Sequence, residues 1–161
     1  MSQRIGNGYD VHPFADDDAR PLVLAGVVIP GHPGLVGHSD ADAIAHAVAD
    51  ALLGPAGLPD LGARFPASDP QYRDANSMQL LADVVVSVRE SGWSIVNVDV
   101  VVNAERPALA PHLPAMVENL TAALGAHVSV TPKRGEGIGA IGRGEGIAVW
   151  AVALISQSLA D

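Results

Sequence analysis

Two metal-binding side chains stand in the stretch "GYDVHPF", residues 8 to 14, which is otherwise patterned as a β-strand. Residues two apart in an extended chain point to the same face, so Asp10 and His12 project side by side as a ligand pair for one ion. A third candidate lies in "HSDADAIAHAVADALLG", residues 38 to 54. Helical spacing of about 100° per residue gathers Ser39, Asp42, His46 and Asp50 on one stripe, opposite Ile44, Val48, Ala51 and Leu52. One carboxylate and two imidazoles suit zinc and leave a coordination position open for a reacting oxygen. Asp42, one turn before His46, or Asp50, one turn after, is placed to take the second imidazole N–H and fix its tautomer.

Each signal is ordinary alone: Asp-x-His pairs are common, and a lone helical histidine usually serves the surface or the core. Their combination carries the weight. The chain has no cysteine, so any metal site must use imidazole and carboxylate. His38 and Ser39, at the start of the helical segment, offer an imidazole and backbone N–H groups to a phosphate. "GIGAIG", residues 137 to 142, matches G-x-G-x-x-G, but a strand-like segment follows and the sequence stops at Asp161. A dinucleotide site needs a helix there and an acidic residue about 20 positions on. The glycines read instead as a loop that lets backbone approach a ligand, with Lys133, Arg134 and Arg143 supplying positive charge.

These side chains must be positioned by an alternation of strands and helices. Residues 4–12 and 21–29 read as two strands forming a hairpin across a polar connection that contains Asp16 to Asp18. A helix follows, with Ser39 as N-cap, Asp42 at the capping-box position and Gly54 past its end. Residues 55–76, rich in Pro, Gly and Asp, read as a long irregular loop, a candidate substrate edge. Asn76 or Ser77 caps a second helix through Glu90, stopped by Gly92, and a strand runs through "WSIVNVDVVVN". A third helix ends at Leu124 before Gly125. Strands at 127–131 and 147–156 complete the order, which predicts an α+β domain with helices packed on one face of a mixed sheet.

With 161 residues the chain is sized for a single domain spanning 1–161. Apolar residues make up 48% and aromatics only 4%, so the core must be aliphatic. A net charge of −9 argues against nucleic acid or an anionic membrane as partner, because both need a basic face. No apolar run approaches the ~18 residues of a membrane span, and the start of the chain lacks the pattern of a secretory signal; a cytoplasmic protein is the expectation.

"RIGNGYDVHPF", "GHSDADAIAHAVADALLG", "LPDLGARFPASDP", "NVDVVV" followed by an "RP", and "IGRGEGIA", in this order and spacing, resemble the 2-C-methyl-D-erythritol 2,4-cyclodiphosphate synthase family of non-mevalonate isoprenoid biosynthesis. The resemblance spans essentially the whole chain. It implies a homotrimer with active sites between subunits and zinc held by Asp10, His12 and His46. His38 and Ser39 would contact the substrate's phosphates, and Glu136 would hold magnesium or manganese. Asp60, Leu61 and Gly62 match the segment for the methylerythritol moiety; Phe65, Pro66, Ala67, Ser68 and Asp69 match the neighbouring substrate loop. Ala104, Glu105, Arg106, Pro107, Ala108, Leu109 and Ala110 match the cytosine pocket. Arg143 matches a basic residue at the phosphate-binding end of the trimer, and Gly135 and Ala140 of the same loop fall among the substrate-binding positions.

The implied reaction is a metal-assisted lyase step: the 2-phosphate of 4-diphosphocytidyl-2-C-methyl-D-erythritol 2-phosphate closes on its own β-phosphorus and releases CMP. Two departures stand out. The family's Thr-Thr pair before the glutamate is Lys133 and Arg134 here, and a usual Lys near the cytosine pocket is Ala108. Arg134 is therefore expected to act in catalysis by neutralising phosphate, with Lys133 beside it. Two competing readings are a trimer that binds nucleotide or isoprenoid diphosphate without catalysis, and a zinc hydrolase of another phosphoester.

Overall fold

The computed structural model describes residues 1–16 and 20–158. Asp17 and Asp18, in the expected polar connection, lie outside them. Four strands form one sheet in the order β1-β6-β4-β5: β1 (Ser2–Pro13), β4 (Ser94–Ala104), β5 (His127–Lys133) and β6 (Gly146–Gln157). β6 runs antiparallel to both neighbours and β4 runs parallel to β5, so the sheet is mixed as predicted. Helices α1 (Ala43–Ala56), α3 (Ser77–Glu90) and α4 (Leu113–Leu124) gather over one face. Alternation decides which face: Val98, Val100 and Val102 of β4 and Val149, Ala151, Ala153 and Ile155 of β6 are buried under the helices. The other face leaves Ile5, Tyr9, Val11, Trp150 and Val152 exposed.

The expected hairpin between residues 4–12 and 21–29 does not form. β1 pairs with β6 along its whole length, from Ser2 opposite Gln157 to Pro13 opposite Gly146. The segment read as one strand, 21–29, folds back on itself as β2 (Pro21–Leu24) and β3 (Val27–Pro33). Its two-residue turn is Ala25-Gly26, with φ of 50° and 71°, the positive angles that tight antiparallel hairpins require. The alternation of "PLVLAGVVI" looked continuous because the turn is itself apolar.

The first helix starts later and ends later than its sequence suggests. Its N-cap is Asp42, not Ser39; the Asp42 carboxylate accepts from the N–H groups of Ile44 and Ala45. It passes through Gly54 and Pro55 and stops at Gly57, whose φ of 76° closes it. The 55–76 segment is less irregular than expected, holding a helical turn α2 (Leu61–Arg64) and a 3₁₀ turn at Pro70–Tyr72. A further turn, α5 (Gly139–Gly142), stands inside the glycine loop. Asn76 caps α3 and Gly125 closes α4, as predicted. No helix among the described residues is long and apolar enough to cross a membrane.

Close contact between α1 and β1 rests on two glycines. A Cβ at Gly6 would lie 2.0 Å from the Ala51 carbonyl oxygen, and one at Gly8 would lie 1.9 Å from that of Ala47. Both obstacles are helix backbone, which cannot swing aside. Gly8→Ala is therefore expected to destabilise the fold by about 3 kcal/mol, the range of overpacked cores, read as a lowered urea midpoint. Because Asp10 follows Gly8 on the same face of β1, the variant should also weaken metal binding.

Candidate metal centre and substrate pocket

β1 presents Asp10 and His12 toward α1, and α1 presents His46 toward β1. His12 Nε2 and His46 Nδ1 lie 2.9 and 3.0 Å from the same oxygen, Asp10 Oδ2. The three ligand atoms lie within 4.8 Å of one another, the one such cluster of three among the described residues. Tetrahedral zinc with bonds of about 2.0 Å needs its donor atoms roughly 3.3 Å apart, close to the 2.9 and 3.0 Å that separate the two imidazole nitrogens from Asp10 Oδ2. The donor chemistry also fits. His12 Nδ1 donates to the Val36 carbonyl at 2.6 Å. That places a hydrogen on Nδ1 and, in the neutral ring, leaves the Nε2 lone pair aimed at the cluster.

Electrostatics hold the cluster together even without a cation. Burial alone would raise the Asp10 carboxyl, but hydrogen bonds and charge from His12 and His46 hold it down at about 2. Burial opposes charge on His12, yet the adjacent Asp10 raises it above the ordinary imidazole value.

His46 sits on the polar stripe as predicted, but neither Asp42 nor Asp50 reaches its second nitrogen. Asp42 is fully buried at the helix start. It also accepts from the Ala25 and Gly26 N–H groups, at 2.8 and 2.7 Å, tying the β2–β3 turn to α1. Burial pushes its carboxyl up, against the N–H groups of Ala45, Gly26 and Ala25. Asp50 accepts from the Leu61 N–H at 2.8 Å and so anchors α2. His46 Nε2 instead meets the hydroxyls of Ser77 at 2.8 Å and Ser39 at 3.1 Å. The sequence marks Ser77 only as an alternative N-cap, because nothing local shows that α3 starts beside His46. Arg20 was also missed. Its guanidinium donates to the carbonyls of Leu35, Gly37 and Ser39, fixing the segment that carries His38.

Beside the cluster lies a cavity of about 270 Å³. His12, His38, Ser39 and His46 line it together with Leu61, Gly62, Phe65 and Ala67, all predicted, and with Tyr72 and Leu80, which were not. Asp60 caps α2 through the Ala63 N–H at 2.8 Å, and Asp69 caps the 3₁₀ turn while its carbonyl meets His38 Nε2 at 3.3 Å. Pro66 and Ser68 complete that loop.

A separate cavity of about 170 Å³ is lined by Ala104, Pro107, Ala108, Leu109, Ala110, Pro132, Lys133 and Arg134. Glu105, between the first two, has Oε2 buried with no hydrogen-bond partner among the described residues. Arg106 turns toward a third cavity with Phe14, His32 and Gly144. In the glycine loop, Gly135 packs against Gly142 backbone. Glu136 holds a left-handed φ of 52°, a strained angle for a side-chain-bearing residue of the kind found at ligand sites. Ala140 lies within α5, and Arg143 pairs with Glu145 at 2.6 Å. Glu136 stands outside the Asp10-His12-His46 cluster.

A mixed sheet under three helices, carrying at the mouth of a pocket a carboxylate-imidazole cluster that could hold a metal ion, defines an α+β protein with a candidate metal site. The YgbB family's sequence profile matches residues 3–156, and the chain belongs to that family. It is 51% identical over 158 residues to the 2-C-methyl-D-erythritol 2,4-cyclodiphosphate synthase of Bordetella petrii, covering 96% of each chain. It is 52% identical over 160 residues to that of Rubrobacter xylanophilus, covering 97% of this chain and 96% of the relative. Among solved structures it is similar to a synthase of this name in a CDP-bound form. The TM-score is 0.85 at 35% identity, covering 95% of this chain and 100% of that one.

Proposed function

We propose that this chain converts 4-diphosphocytidyl-2-C-methyl-D-erythritol 2-phosphate to 2-C-methyl-D-erythritol 2,4-cyclodiphosphate and CMP. It does so in isoprenoid precursor synthesis, as a cytoplasmic homotrimeric lyase. The observation that carries this reading is the Asp10-His12-His46 cluster opening onto a pocket lined by the residues that match the synthase motifs. Asp10, His12 and His46 would hold zinc, and Glu136 magnesium or manganese. When bound, such ions supply positive charge that offsets the repulsion between the two reacting phosphates and help fix their in-line approach.

The bond changes balance within one substrate. An oxygen of the 2-phosphate forms a bond to the β-phosphorus, and the bond from that phosphorus to the oxygen bridging it to the α-phosphorus breaks. CMP leaves with the electron pair. The attacking phosphate is already ionised, so no general base is required. His38 and Ser39, at the pocket wall, donate to phosphate oxygens. Leu61, Gly62 and Phe65 exclude water around the methylerythritol carbons, and Ala104 with Pro107 to Ala110 receives the cytosine. Holding both ends of a flexible substrate contributes up to about 7–11 kcal/mol in ideal cases.

Two features support the trimer. The metal-side pocket and the second cavity share no lining residue, so one substrate is best accommodated where neighbouring subunits bring two such surfaces together. The uncovered sheet face carries Ile5, 75% exposed, with Tyr9, Val11, Trp150 and Val152, an apolar surface of the sort that self-association covers.

Incubation with the cytidyl substrate, followed by phosphorus NMR, tests the activity. The cyclic diphosphate and CMP should appear together, and binding without turnover would favour the non-catalytic reading. Arg134 and Lys133 line the second cavity, where a guanidinium can bind two phosphate oxygens at once. Arg134→Ala is expected to lower kcat/KM by about tenfold or more; unchanged kinetics would remove Arg134 from the reaction.

A further inference from the structure

We infer that Asp40 and Ser77 are positioning residues: a one-way hydrogen-bond chain, His46 to Ser77 to Asp40, commits His46 to ligating through Nδ1. His46 turns Nδ1 toward Asp10 Oδ2 and Nε2 toward two hydroxyls. A hydroxyl alone sets no direction, since it donates as readily as it accepts. Asp40 sets it. Ser77 Oγ donates to Asp40 Oδ1 at 2.5 Å, and the Ser77 N–H donates to Asp40 Oδ2 at 3.1 Å. The single Ser77 hydroxyl proton is thereby taken, leaving its lone pairs toward His46 Nε2, which must carry the hydrogen. The Nδ1 lone pair then faces the metal cluster.

Three further observations fit. Ser77 is 1% exposed, so water does not compete for its hydroxyl. Asp40 satisfies an N–H that the first turn of α3 leaves free, and negative charge is favoured at that helix end. Ala41, between Asp40 and Asp42, holds φ of 57°. That left-handed residue lets Asp40 face α3 while Asp42 faces the β2–β3 turn, and such strain is retained where the surroundings demand it. Because the Ser77 proton is taken, the 3.1 Å contact between Ser39 Oγ and Ser77 Oγ has Ser39 as its donor, and the Ser39 proton can turn to a ligand in the pocket only by leaving Ser77.

This inference rests on the metal-centre reading above. Its test measures zinc affinity by chelator competition in native protein, Ser77→Ala, Ser77→Thr, Asp40→Asn and Asn76→Ala, with the His46 Nε2–H proton followed by NMR in the zinc-loaded forms. Loss of a group that orients a metal-bound histidine lowers affinity about 10–100-fold. That loss is expected in Ser77→Ala and Asp40→Asn, with faster solvent exchange of the Nε2–H, and recovery is expected in Ser77→Thr. Asn76→Ala removes the α3 cap on the Gln79 N–H without touching His46, and should bind zinc normally. Equal weakening in Asn76→Ala, or native affinity in both Ser77→Ala and Asp40→Asn, overturns the chain. If Ser77→Ala does not fold, Asp40→Asn alone decides. A native protein that binds no zinc would instead defeat the metal-centre reading itself.

Discussion

Asp10→Ala is expected to lower turnover about a thousandfold or more and to weaken zinc binding at least as strongly as loss of either histidine. Its Oδ2 is the atom both imidazoles approach, at 2.9 and 3.0 Å, and it is the one anionic ligand of the cluster. Without it, two neutral imidazoles must hold a dication. Loss of metal charge at a phosphoryl-transfer site costs several kcal/mol, and each 1.36 kcal/mol is about tenfold in rate. Steady-state release of CMP, measured with and without added zinc, checks this; turnover within about tenfold of native would place the reaction elsewhere. Exhaustive chelation of the native protein should reproduce the loss, and zinc should restore it.

The zinc-free protein adds a pH signature. Asp10 is held at about 2 in the folded state, below its ordinary 3.8, so its contribution is present above 3.8 and is lost as pH falls toward 2. His12 is raised above its ordinary value, so its contribution is present at acid pH and is lost as pH rises through the folded value. Zinc-free native protein should therefore gain most over Asp10→Ala at mildly acidic pH. A thermal-melt difference that is flat from acid to neutral pH would contradict it.

Asp42→Ala is expected to cost about 4 kcal/mol or more, far above the about 1 kcal/mol of an ordinary helix cap. Four backbone N–H groups from two elements converge on this carboxylate: Ala25 at 2.8 Å, Gly26 at 2.7 Å, Ile44 at 3.1 Å and Ala45 at 3.0 Å. Each N–H left buried without a partner costs about 1–3 kcal/mol. Against a total stability of about 5–15 kcal/mol, the variant should populate unfolded chain at low urea. Asp42→Asn, which keeps one acceptor oxygen, should fall between. A loss near 1 kcal/mol in Asp42→Ala would mean that water reaches the turn and replaces the carboxylate.

How far the sequence could be read depended on whether a signal was local. Period-2 alternation in "NVDVVVN", Gly125 after a helical run and Asn76 before another are encoded within a few residues, and all appear where expected. The β2–β3 turn was not legible because nothing local marks Ala25 for positive φ, and the side chain that takes its N–H, Asp42, lies 17 positions away. The cap moved from Ser39 to Asp42 for a related reason: Ser39 is engaged with His46 and Ser77 across the pocket, an engagement that no spacing rule contains.

The sequence by itself determined the candidate ligand types, the shared face of Asp10 and His12, the polar stripe bearing His46, and a family pattern specific enough to imply the substrate. Each follows from backbone periodicity or from residue identity. Only the tertiary structure decided which strand β1 pairs with, how Gly6 and Gly8 let α1 approach until three ligands meet, and which hydroxyls take the far side of His46. Those outcomes depend on packing between segments tens of residues apart, where shape and hydrogen-bond completion, not local preference, select the arrangement.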